Sequence, residues 1–351
     1  MEWRSYGLKA VRMYEHGGPE VLRLEEAPRP EPGPGEVLVR VRAAALSHLD
    51  LWSRAGLPGH TTPKMPHILG NDAAGEVAKV GAGVPEDLLG QRVLLNPGYG
   101  CGRCAECLAG RETFCRKYRI LGYEIPGTHA EYVKLPSANL VPIPEGMEYV
   151  GASALGLVFL TAWHMLVTLA GVAPGHTVLV LGASSGIGSA AIQIAKLYGA
   201  RVIATASGDD KLRKARELGA DETIDHGRRP IHLDVRRMTG RRGVDIVVEH
   251  VGQVTWPESL RSLAPGGRLV TCGATTGPFG ETDIRYIFSR QLQILGSYMG
   301  SRAELLALMP HVASGALRPV VDRVFGLAEA AEAHRRLESR EQFGKVVLTV
   351  E

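Results

Sequence analysis

The stretch TVLVLGASSGIGSAAIQIAKL, residues 177–197, decides the fold. Its first five residues are a continuous apolar run, the pattern of a strand buried on both faces. Over 189–197 the apolar side chains recur at helical spacing, and Gly182, Gly186 and Gly188 fall at the turn. Glycines at a strand-to-helix turn let the backbone approach a pyrophosphate. The helix start then supplies amide donors and the positive end of its dipole. Ser185, Gly186 and Gly188 are therefore candidate phosphate-binding residues. A glycine turn alone could bind nothing; the strand before it and the helix after it select the dinucleotide reading. Working outward, strands are expected at 201–206, around Ile224, and at 244–249, 268–272 and 293–295. Helices are expected over 210–218 and closing at 260–263. This alternation makes a parallel doubly wound sheet, an α/β fold. Cys272 reads as a buried strand residue, not a nucleophile.

The end of the second strand sets which dinucleotide fits. An Asp or Glu there bonds the ribose 2′-hydroxyl and repels a 2′-phosphate. The chain has Ala206-Ser207-Gly208, small and uncharged, with Lys211 beyond. Ser207 can donate to a phosphate and Lys211 can neutralise it, so NADP(H) is expected over NAD(H). Asp209 and Asp210 weigh the other way unless they serve the helix start. The pattern G-x-x-x-G-x-G is similar to that of short-chain dehydrogenases, which open with the loop and work with a Tyr-x-x-x-Lys pair. Here the loop begins at 182, and none of the ten tyrosines has Lys four residues later.

Residues 1–155 have a different texture, with strands expected at 37–43, 75–80 and 92–95 and an aperiodic Gly/Pro/Thr-rich loop at 54–66. Within them CGRCAECLAGRETFC, residues 101–115, spaces Cys101, Cys104, Cys107 and Cys115 as C-x2-C-x2-C-x7-C. Four thiolates this close suit one tetrahedral ion with no open position, which describes one structural zinc per subunit in a lobe over about 96–119. Disulfide pairing is the alternative, disfavoured in a chain with no secretory signal. Residues 298–351 hold two helical stretches and a strand at 345–350, expected to return to the first domain.

A length of 351 residues implies two domains. Composition is ordinary globular, 45% hydrophobic and 22% charged, and a net charge of +3 is too small to indicate nucleic acid. Six arginines at 228–242 interleave with Ile231, Leu233, Val235 and Met238, as on the solvated side of an amphipathic helix. No apolar run approaches the roughly 18 residues of a membrane span, and MEWRSYGLKAV at the start has no signal-peptide core. The expectation is a cytoplasmic protein with a small-molecule substrate and neither nucleic acid nor membrane as partner.

The zinc lobe in a β-rich first domain, the mid-chain phosphate loop, GGPEVLRLEE, GADETID and the terminal FGKVVLTV resemble the medium-chain dehydrogenase/reductase superfamily over nearly the whole chain. The resemblance implies a GroES-like catalytic domain (1–155), a Rossmann domain (156–297) and a C-terminal return (298–351). It also implies an oxidoreductase that is a homodimer or homotetramer. The alcohol dehydrogenases of that superfamily carry a second, catalytic zinc. Its ligand positions fall here on Ser47, Asn71 and Leu157, and Leu49 replaces the hydroxyl residue that relays the alcohol proton. Hydroxyl and carboxamide are poor zinc ligands beside thiolate and imidazole, and leucine is none. Ser47, Asp50 and Asn71 are the candidate catalytic residues, with Ser47 and Asn71 as donors to a developing oxyanion. The plainer reading is that Ser47 and Asn71 fill vacated space.

The reaction so implied is hydride transfer from NADPH to a quinone or an alkene conjugated to a carbonyl, as in the quinone oxidoreductase/enoyl reductase branch. Two other readings stay open. One is a zinc alcohol dehydrogenase with an altered site using His48, His67 or Asp72; the other is a non-enzymatic NADPH-binding protein. By the same resemblance His48 lies near the cofactor pyrophosphate, Thr161 contacts the nicotinamide and Ile187 packs at the helix start. Gly252, Gly273, Ala274, Gly296, Ser297 and Lys345 fall at cofactor-contact positions. Trp52 and Leu157 are expected to wall the substrate pocket, with a plain core role as the alternative for Trp52.

Overall fold

The computed structural model describes residues 7–56 and 63–351. The chain divides into two compact units, one of Met1–Leu157, Ser301–Met309 and Pro319–Glu351, the other of Val158–Gly300 and Pro310–Arg318.

In the second unit six parallel strands lie in the order Glu222–Asp225, Arg201–Ala206, Thr177–Val180, Val244–Glu249, Leu263–Thr271, Gln293–Gly296. All four residues of Thr177–Val180 are buried, because strands pair on both sides and helices cover both faces. That burial is why its sequence is apolar without alternation. Leu179, Ile203, Val247 and Leu269 join Val235 and Leu260 of the covering helices in one core. Strand order reverses between Thr177–Val180 and Val244–Glu249, so the ligand crevice of such a sheet opens beyond their carboxyl ends. The Gly182 turn stands there. Two expectations need adjusting. Leu263 opens a strand instead of closing the helix Trp256–Ser262, and Cys272 follows the strand's last residue, Thr271, only half-buried. The arginine-rich stretch forms the helix Ile231–Met238 and its flanks. Its arginines pair locally, Arg228 with Asp225, Arg237 with Asp234 and Arg242 with Asp245.

The first unit is built on a seven-stranded sheet whose central strand, Glu36–Ala45, pairs antiparallel with Asp72–Val80, Tyr132–Pro136 and Lys345–Thr349. Val37, Val39, Val41, Val77, Val346 and Leu348 form its core. A smaller sheet of Arg23–Pro28, Gly7–Met13 and His67–Ile68 was not singled out by periodicity. Arg54 and Ala55 of the aperiodic stretch close the helix His48–Ala55, while 57–62 lie outside the described residues.

Candidate active site

Ser47 stands where the central strand Glu36–Ala45 gives way to the helix His48–Ala55, and it caps that helix in extended conformation. Its backbone N–H donates to Asp50 Oδ2 at 2.7 Å, and the other oxygen of Asp50 accepts from Gly70 N at 2.8 Å. Gly70 has φ of 103°, and a Cβ there would meet Thr128 Oγ1 at 2.4 Å, so only glycine brings this amide in. Asp50 is fully buried. Loss of solvation raises its carboxyl to about 7, against the pull of the two amides and Lys345. Both its oxygens are engaged with backbone, so the structure gives Asp50 a positioning place beneath Ser47.

Lys345 opens the last strand. Pairing of Val347 with Ala45 continues through Leu46 N to Val346 O at 2.9 Å, which brings Lys345 opposite Ser47. Gly344, at φ of 101°, makes the turn into that strand where a Cβ would meet Val320 O at 2.4 Å. The Lys345 ammonium donates to Ser47 Oγ at 2.6 Å and to Asp72 Oδ2 at 2.9 Å. Asp72 is fully buried, and its Oδ1 accepts from Leu157 N at 2.6 Å. Leu157 thus enters through its backbone, past Gly156, whose missing Cβ leaves room for the carboxylate. Asn71, also fully buried, donates from Nδ2 to Leu121 O at 2.6 Å, and its Oδ1 has no partner among the described residues. Ser47, Asp50, Asn71, Asp72, Leu157 and Lys345 therefore converge within one unit. Nothing in sequence position signals that Asp72 and Lys345 meet Ser47.

Beside this cluster lie further histidines, of which His129 and His334 carry no signal in the sequence. His129 is fully buried with neither ring nitrogen partnered among the described residues, and its ring meets that of His334 edge-on at 5.9 Å. Burial, aided by the positive charge of Lys345, pushes His129 down to about 3. His334 Nδ1 lies 3.0 Å from Arg54 Nη1, and Arg54 also pairs with Glu338. His67 Nε2 is engaged with Gly122 O at 3.1 Å. His48 and Trp52 share one helix, with ring centroids 6.3 Å apart.

In the second unit, Ser185 caps the helix Gly186–Leu197 by accepting from Gly188 N at 2.8 Å, and its hydroxyl lies 3.3 Å from His250 Nε2. A Cβ on Gly188 would meet Gly182 O at 2.2 Å, so glycine lets the turn close tightly at the start of the helix, where a phosphate is expected to sit. Ile187 is the second residue of the helix. Gly252, at φ of 92°, packs on the backbone of Ala274, next to Gly273. Gly296 ends the last strand, and Ser297 follows it. Thr161 Oγ1 and Ser297 Oγ are buried with no partner among the described residues, as polar groups meant for a ligand would be. These features fit a dinucleotide. Ser207 and Gly208 follow Arg201–Ala206, and Asp209 and Asp210 open the next helix. Asp210 is paired with Arg213 at 2.6 Å and Lys214 at 2.8 Å, and Asp209 with Arg228 at 3.5 Å.

The four lobe cysteines present sulfurs within 4.8 Å of one another, the only such group of metal-binding side chains among the described residues. A tetrahedral zinc at about 2.3 Å from each sulfur would space them about 3.8 Å apart. Amides of Cys101 and Lys117 donate to Cys115 Sγ at 3.4 and 3.3 Å, which stabilises thiolate charge. A Cβ on Gly100 would meet Cys107 Sγ at 2.6 Å. The donor set fits a closed, structural zinc.

Two units of this kind, a β-sheet domain with a zinc lobe and a doubly wound dinucleotide fold, define a nicotinamide-dependent oxidoreductase. Residues 33–145 match the alcohol dehydrogenase GroES-like domain and 186–314 the zinc-binding dehydrogenase family. The chain is 33% identical to a quinone oxidoreductase of Pseudomonas aeruginosa over 97% of this chain and 99% of that one. It is 32% identical to an acryloyl-coenzyme A reductase of Metallosphaera sedula over 97% and 100%. A solved structure of an NAD-dependent alcohol dehydrogenase superposes with a TM-score of 0.94 at 50% identity, covering 98% of this chain and 100% of the other. The chain belongs to the medium-chain dehydrogenase/reductase superfamily.

Proposed function

We propose that this chain is an NADPH-dependent reductase of small quinones or of alkenes conjugated to a carbonyl, working in the cytoplasm without a catalytic zinc. The observation that carries this reading is the ammonium of Lys345, held 2.6 Å from Ser47 Oγ and 2.9 Å from Asp72 Oδ2. A fixed cation on both groups repels a second cation. His67 is already engaged with a backbone carbonyl and Asp72 with Lys345 and Leu157 N. Ser47 and Asn71 are weak zinc donors in their own right. Alcohol–ketone interconversion depends on a Lewis acid to polarise the carbonyl, whereas conjugated acceptors take hydride more readily.

When bound, the dihydronicotinamide supplies the hydride. Ser47, having accepted an N–H from Lys345, keeps its own O–H to donate to an oxygen that gains negative charge. Asp50 holds the Ser47 backbone, and the buried surroundings keep these hydrogen bonds free of competing water. NADPH preference is supported by the uncharged Ser207-Gly208 turn and by Asp209 and Asp210 being paired with neighbouring cations. The relatives named for quinone and acryloyl-coenzyme A reduction support the acceptor class.

The second reading, an alcohol dehydrogenase, is favoured by the name of the structure at 50% identity. NADPH and NADH oxidation measured across quinones, enones, enoyl thioesters and aldehydes, with alcohol oxidation run in reverse, separates the two. The reductase reading expects quinones or activated alkenes to turn over fastest and chelators to leave that rate intact. Rapid oxidation of simple alcohols, abolished by a chelator without unfolding, would replace it with the alcohol dehydrogenase.

A further inference from the structure

Resemblance places Lys345 among the cofactor contacts. We propose instead that it works on the substrate side, as the positioning and proton-supplying residue behind Ser47; this rests on the reductase reading above. Lys345 is only 4% exposed and Asp72 is fully buried. Of the three donors on an ammonium, one goes to Ser47 at 2.6 Å and one to Asp72 at 2.9 Å. Asp72 is anchored in turn by Leu157 N at 2.6 Å, so the ammonium is clamped and not free to swing. Reaching a phosphate would leave the buried Asp72 carboxylate without a counter-charge, held by Leu157 N alone, which is strongly unfavourable. A buried ion pair is also weak evidence for stability, since an apolar pair of similar volume often serves as well. A task for this pair explains its presence better.

Hydride adds to the β-carbon of the conjugated acceptor, and the alkene electron pair moves to leave negative charge on the carbonyl oxygen. The Ser47 O–H proton passes to that oxygen, and an N–H proton of Lys345 passes to Ser47 Oγ. Lys345 is left as a neutral amine hydrogen-bonded to Asp72, and a solvent proton restores it. The enol then rearranges to the saturated carbonyl compound.

The test compares Lys345→Met, Ser47→Ala, the double variant of these two, and Asp72→Asn/Lys345→Met, which removes the pair without stranding a carboxylate. Each is measured for NADPH Kd by nucleotide fluorescence, for thermal melting, and for single-turnover hydride transfer to whichever acceptor the parent reduces fastest. Lys345→Met and Ser47→Ala are each expected to slow transfer roughly a hundredfold. The Ser47→Ala/Lys345→Met double should be no slower than either single, and NADPH Kd should stay within about twofold. Should Lys345→Met fail to fold, Asp72→Asn/Lys345→Met replaces it in the comparison. The proposal is overturned if the losses multiply in the Ser47→Ala/Lys345→Met double. It is equally overturned if losing Lys345 weakens NADPH binding tenfold while transfer at saturating NADPH is unchanged. A parent that prefers aldehydes would sink the reductase reading alone, because the same comparison still decides the place of Lys345.

Discussion

Asn71 and Ser47 are both polar residues at former ligand positions, yet their surroundings give them different consequences. Asn71 Nδ2 is tied to Leu121 O at 2.6 Å in full burial. Asn71→Ala strands that carbonyl, so a loss of about 1–3 kcal/mol is expected, seen as a lowered melting temperature. His129 makes a separate prediction. Its ordinary value of 6.5 falls to about 3 in the folded chain, so the unfolded chain binds the proton first as pH drops. Stability is therefore lost between about pH 6.5 and 3, by an amount on the order of a few kcal/mol. Asp50 acts with the opposite sign. Raised from 3.8 to about 7, it favours the folded chain at low pH, and that contribution fades as pH rises through 7. His129→Leu should flatten the fall in melting temperature between pH 6.5 and 4. An unaltered acid limb in that variant would show that the limb has another origin.

Two elements carry predictions of their own. In the helix Asp209–Glu217, Lys211→Ala should raise the Michaelis constant for NADPH severalfold and leave that for NADH nearly unchanged. A parent enzyme that prefers NADH would show that Asp209 and Asp210 dominate despite their partners. In the lobe, Cys104→Ser should reduce zinc from about one equivalent per chain and lower the melting temperature. Zinc retained at full stoichiometry in that variant would contradict a four-sulfur site. Both elements were legible because their determinants are local. A four-thiol spacing and a strand–glycine–helix run each lie within about twenty residues. The Gly7–Met13 strand is hard to read because its alternation breaks where Ala10 and Val11 are both buried, and Arg23–Pro28 because it buries only Ala27.

At the scale of the whole molecule, the Gln293–Gly296 strand closes one edge of the parallel sheet, with Gln293, Ile294 and Gly296 exposed. In the same unit Phe279, Ile284 and Phe288 are at least 68% exposed, apolar side chains of the kind that interfaces cover. We propose that a second copy covers this face. Sedimentation should find a dimer or tetramer, and Ile294→Lys with Phe288→Glu should shift it toward monomer. Among the described residues no helix is long and apolar enough to cross a membrane. The sequence by itself determined the doubly wound sheet, the phosphate turn and the zinc lobe, because apolar period, glycine placement and cysteine spacing act over short stretches of chain. It could also name Ser47, Asn71 and Leu157 by position. Only the tertiary structure decided that Lys345, nearly three hundred residues from Ser47, donates to it and to Asp72. It alone also decided that His129 meets His334 in a fully buried place. The physical reason is that strand register across a sheet, not sequence spacing, chooses which distant side chains share a buried site, and burial then sets their charge.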